Sequence, residues 1–170
     1  MDKIINKLGS YDILNNLIPG AVFSYLLLFV TDYNLLQNSI GESLVVFYIM
    51  GMVLSRFGSV VIEPILKKCK VIKYAEHSDY ISASIKYNKL ETIMAVNNMF
   101  RTIVASVVAV ILTKVYSLLG YRVPFLPTVT PFIIVVVILL LFIFSYRKQT
   151  SYIVKSIEYV NEEKSKEEKE

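Results

Sequence analysis

FIIVVVILLLFIF, Phe132 to Phe144, is a run of thirteen residues without a polar side-chain atom. A helix apolar on every face belongs in a large core or in lipid. Read outward to Val129 and Tyr146, the run approaches the roughly 20 residues needed to cross ~30 Å of hydrocarbon. Three further stretches meet the same test, at about 14–31, 43–66 and 98–119, beside 129–146. The composition agrees: 55% of the 170 residues are hydrophobic and 19% charged, with a mean hydropathy of +0.54, too apolar for a soluble domain of this size. The expected fold is all-α, an integral membrane four-helix bundle with a small cytoplasmic helical extension. Residues 1–150 form the membrane domain, with a helical loop at 67–97, and residues 151–170 a charged cytoplasmic tail.

Lysine and arginine counts orient the spans, because positive residues are retained on the cytoplasmic side. Lys3 and Lys7 precede the first span, six lysines (Lys67, Lys68, Lys70, Lys73, Lys86, Lys89) fill the middle loop, and Arg147, Lys148, Lys155, Lys164, Lys166 and Lys169 follow the last span. These fourteen face one side, against Arg122 alone in the two opposite loops. Both ends and the middle loop are therefore expected in the cytoplasm. The first span lacks the basic region and small-residue cleavage site of a signal peptide and reads as a retained anchor.

In the middle loop, Tyr80, Ala83, Tyr87, Leu90 and Met94 recur at three- and four-residue intervals, predicting a helix that leads into the third span. Ile153, Ile157 and Val160 form a shorter stripe in the tail before NEEKSKEEKE, whose charge density predicts disorder. The stripes either pack on each other or present a face to a soluble partner.

Within the spans, small and polar residues mark the faces on which helices approach closely. Gly20 and Ser24 lie on one face of the first span with Asn16 and Asp12. Gly51, Ser55 and Ser59 lie on one face of the second beside Gly58, and Ser106 and Ala109 on the third with Thr102, Thr113 and Ser117. The fourth span has no comparable face, which predicts convergence of the first three with the fourth outermost. Pro19 removes a backbone donor early in the first span and reads either as a hinge or as an ordinary proline of a first turn. Pro124, Pro127 and Pro131 shape an outer turn.

Charges are costly at the bilayer centre, at least ~2.5 to 3.5 kcal/mol unless paired or hydrated. Helix rise places Arg56 near mid-depth of the second span, with Glu63 seven residues on and roughly on the same face. Two readings follow: structural pairing, or part of an ion or signal pathway. Asp12, Glu63 and Arg101 fall at the inner boundary, where they predict a salt-bridge ring. Lys114 is expected to snorkel.

No constellation for catalysis emerges. The single histidine, His77, lies in a cytoplasmic loop with Asp79 and no nucleophile, and Lys114 with an intramembrane serine has no supporting pattern. No phosphate-cradling or dinucleotide-binding glycine motif is present. One cysteine, Cys69, and one histidine cannot assemble a zinc cluster or an internal disulfide, so neither metal nor cofactor is expected. The basic run Lys67, Lys68, Lys70 and Lys73 would suit nucleic acid or anionic headgroups, and its juxtamembrane position favours lipid.

YDILNNLIPGAVF, Tyr11 to Phe23, with several spans and KLETIMAVNNMFR, Lys89 to Arg101, resembles small bacterial inner-membrane proteins, some associated with antiphage defence. The small four-span membrane component of Kiwa-type defence is similar in size and topology. The resemblance covers about the first two thirds of the chain. It implies a bacterial inner-membrane location and transfers no functional residue. Two functions remain open: a homo-oligomeric membrane sensor or scaffold acting with a soluble cytoplasmic partner, or an oligomeric pore whose lumen Arg56 and Glu63 line.

Overall fold

The computed structural model describes residue 9 and residues 12–87, 89–120, 122–123 and 125–167. Lys3, Lys7, Tyr11, Pro124 and Lys169 lie outside the described residues, as do the side chains of His77, Lys86, Lys164 and Lys166. The described residues contain helices and no strand. We number them α1 (Ile13–Val30), α2 (Ile40–Lys68), α3 (His77–Lys86), α4 (Leu90–Gly120) and α5 (Leu126–Glu167). Four of them, α1, α2, α4 and α5, are long and apolar enough to cross a membrane. The chain is an all-α, multi-pass membrane protein.

α1, α2 and α4 form the packed core. A Cβ on Gly20 would stand 1.8 Å from the Phe47 carbonyl oxygen of α2, and one on Gly51 would stand 1.8 Å from the Asn16 carbonyl oxygen of α1. The two backbones touch at both glycines, an approach available only without side chains. Phe23, Leu27, Leu54 and Val110 fill the space around this crossing. α4 turns Ala95, Thr102, Ala105, Ser106 and Val110 inward. α5 lies outermost: 6% of its most apolar window is buried within the chain, against 33% in α1.

Buried hydroxyls are satisfied mostly by their own helices rather than across interfaces. Ser24, Thr102, Ser106 and Thr113 each donate to the carbonyl four residues back, the local back-bond available to Ser and Thr in helices. Ser106 Oγ also lies 3.4 Å from the Pro19 carbonyl oxygen, a weaker link between α4 and α1.

α1 and α2 each contain one wide turn, over Ile13–Leu17 and Gly58–Ile62, closed by Ile18 N–H to Ile13 O and by Glu63 N–H to Gly58 O. Each turn stands directly before a proline, Pro19 or Pro64. A proline ring clashes with the carbonyl four residues earlier, and an i→i+5 turn relieves that clash without breaking the helix. Pro19 is thus absorbed by the turn before it.

Two expectations fail outside the apolar windows. The helix expected across the middle loop is divided: α3 ends at Lys86, Tyr87 is extended at φ −132° and ψ 92°, and α4 begins at Leu90. Tyr is a weak helix former, and Tyr87 is where α3 stops. The stripe is accordingly split, with Tyr80, Leu90 and Met94 half-buried and Ala83 and Tyr87 exposed. The charged tail, expected to be disordered, continues as helix to Glu167. It extends a helix already nucleated in the apolar run, and its Glu and Lys are good helix formers, so no nucleation cost opposes it.

Candidate functional site

Where α2, α4 and α5 leave their apolar stretches, their charges converge on Glu63. Its side chain is 4% exposed. Lys67 Nζ lies 2.9 Å and Lys148 Nζ 3.0 Å from Oε1, and an Arg101 terminal nitrogen lies 2.9 Å from Oε2. Lys148 also donates to the Ser59 carbonyl oxygen and to Ser59 Oγ, both at 3.0 Å. One carboxylate thus joins three helices, and removing it would strand three cations at the edge of the bundle.

Local sequence builds this geometry. Pro64 imposes the wide turn Gly58–Ile62 just before Glu63, and an i→i+5 turn delays the helix by roughly one residue in phase. Arg56 and Glu63, expected on one face, both reach α5. Arg56 donates to Ser145 Oγ of α5 at 3.2 Å, while Glu63 reaches α4 and α5. Gly58 lies beside Arg101, where an added Cβ would stand in ordinary contact, 3.4 Å from Arg101 Cγ and Ala105 Cβ.

Arg56 meets the end of the α5 apolar run rather than its middle. Ser145, its partner, is the first residue after the apolar run ending at Phe144, and the 19 residues from Leu126 to Phe144 already span about 28 Å. α2, with 29 residues, is about 43 Å long and overshoots the hydrocarbon. Arg56 is the 17th of these residues and Glu63 the 24th.

Asp12 does not join the expected ring. It accepts hydrogen bonds from Asn16 Nδ2 and Tyr48 Oη, both at 3.3 Å, pinning the start of α1 to α2. Only Glu63 and Arg101 of that trio meet. Of the basic run, Lys67 turns to Glu63 and packs its ammonium 4.2 Å from the Tyr74 ring centre, while Lys68, Lys70 and Lys73 are exposed. Among the small residues, Gly20, Ser24, Gly51 and Ser106 are buried and Ser55, Ser59 and Ala109 half-buried. Lys114 is exposed. Lys148 and Ser145 were missed as site residues. The signal was present: Ser145 is the first polar residue after the longest apolar run and Lys148 follows three residues later, on the helix whose span lacked a polar face.

Beyond this belt α3 lies against α5, with the Ser82 and Tyr159 hydroxyls hydrogen-bonded. The tail stripe expected to pack there points elsewhere: Ile153, Ile157 and Val160 are 51%, 56% and 44% exposed. No group of three metal-ligating side chains occurs among the described residues. No family model, curated protein or solved structure matches the chain.

Proposed function

We propose that the chain is a non-enzymatic membrane sensor or scaffold of a bacterial inner membrane, assembled from identical copies and acting with a soluble cytoplasmic partner. The observation that carries this reading is the stripe of Ile153, Ile157 and Val160, which stays exposed beyond the basic belt while the neighbouring Tyr159 engages α3. Apolar residues at i, i+4 and i+7 form the anchor pattern of helix recognition. The Glu63 cluster supports the sensor aspect, since it ties the emerging ends of α2, α4 and α5 and is placed to carry a change of membrane packing to the stripe. The lysine and arginine count supports cytoplasmic ends, and the exposed Lys68, Lys70 and Lys73 suit anionic headgroups rather than nucleic acid. A role in antiphage defence rests on the resemblance alone.

The pore reading has less support. Arg56 faces Ser145 and Glu63 is enclosed by cations, so lining a lumen would require both to change partners.

A photo-cross-linking residue at Ile157 tests the proposal in cells. The expected product is an adduct with a second, soluble protein that is lost when Ile153 is replaced by Asp. Cross-linking to lipid alone, or an adduct indifferent to Ile153→Asp, would contradict it.

A further inference from the structure

Glu63 is surrounded by more charge than it neutralises. Lys67, Lys148 and Arg101 supply +3 against its −1, leaving +2. No other carboxylate pairs with any of these three among the described residues. Arg101 Nε is buried with no hydrogen-bond partner, an unfilled donor at the back of the cluster. Exposure is graded: Lys67 is 41% and Lys148 28% exposed, Arg101 16% and Glu63 4%. The carboxylate is sealed behind two ammonium groups that still face outward. Each ammonium has three donors: Lys67 places one on Glu63 and keeps two for a second anion, while Lys148, whose three go to Glu63 and Ser59, acts on that anion through its charge.

The depth identifies that anion. Lys148 follows the apolar run by four residues, which on a helix is about 6 Å past the hydrocarbon. Phospholipid phosphates occupy that layer.

We propose that Lys67 and Lys148, backed by Arg101, bind the phosphate of a single anionic phospholipid. The proposal rests on the anionic-lipid contact suggested above and sharpens it. The exposed Lys68, Lys70 and Lys73 attract a charged surface in general, whereas the cations fixed on Glu63 form a site for one headgroup. A zwitterionic headgroup carries its own cation and offers less to a cluster with +2 to neutralise. A filled site would also hold Lys148, and with it α5, against α2.

Native mass spectrometry of the full chain, titrated with phosphatidylglycerol or phosphatidylcholine, tests the site. Wild type is expected to retain one phosphatidylglycerol per chain and no comparable phosphatidylcholine. Lys148→Gln and Lys67→Gln should each weaken that lipid about fivefold, the worth of one cation near a headgroup. Lys148→Arg should retain it, and Lys67→Gln, at a half-exposed position, guards against loss by misfolding. A combined Lys68→Gln, Lys70→Gln and Lys73→Gln variant should leave the bound lipid within about twofold. If this triple variant weakens binding as much as Lys148→Gln, the contact is diffuse and the site is overturned while the lipid reading survives. Equal binding of both lipids overturns both. Displacement by inorganic phosphate in the buffer would assign the site to a soluble phosphate and overturn the lipid.

Discussion

A methyl group at Gly20 or Gly51 would stand 1.8 Å from a backbone carbonyl oxygen of the facing helix. Backbone yields less easily than side chains, so Gly20→Ala and Gly51→Ala are each expected to cost at least the ~1 to 3 kcal/mol of core overpacking, read by unfolding in mixed micelles. Ser24→Ala, which removes only a hydroxyl bonded within its own helix, should cost less than about 1 kcal/mol. Glu63 and Lys67 form a second contrast. Glu63→Gln leaves three cations uncompensated and should cost on the order of 3 kcal/mol. Lys67→Gln removes one half-exposed partner and should cost under about 1 kcal/mol. A third case is Lys70, which closes α2 at φ 59°, with Val71 N–H bonded to Leu66 O and Lys70 N–H to Lys67 O. This C-terminal cap favours glycine. Lys70→Gly is expected to stabilise α2 by up to about 1 kcal/mol, and a loss would indicate that the lysine charge outweighs its strain.

At the scale of elements, the legible and illegible parts divide by cause. The apolar run Phe132–Phe144 and the glycines at positions 20 and 51 announce spans and close approaches, because hydropathy and small-residue spacing are local properties. The meeting of Glu63 with Lys148 depends on the phase of α2 after its wide turn, and that phase is set by Pro64, whose effect periodicity alone does not register. α5 is held at its emerging end through Arg56 to Ser145 and Lys148 to Ser59 and Glu63. Hydrogen exchange should therefore rise in α3 and in the part of α5 beyond Ser145 when Glu63 is replaced by Gln, relative to wild type. Exchange unchanged outside the immediate surroundings of Glu63 would mean that the cluster is a local staple and transmits nothing.

For the whole molecule, Asn15, Ser24, Thr102 and Ser106 are buried among the helices, charges of α2, α4 and α5 gather at Glu63, and α5 presents an apolar surface along its apolar run. Orientation is open to a direct check with the single cysteine. Cys69 is exposed just past α2, so a membrane-impermeant maleimide applied to intact cells should leave it unlabelled until the membrane is permeabilised. Labelling in intact cells would reverse the proposed topology. The choice between scaffold and pore is also made at this scale, because a lumen requires a polar surface that several copies share. The most direct measurement is release of dye and ions from sealed liposomes carrying the purified protein, wild type beside Arg56→Leu. A scaffold whose polar groups are paired within the chain leaves the vesicles sealed in both cases. Leakage through the wild type that Arg56→Leu abolishes would contradict it and put Arg56 in a conducting lumen.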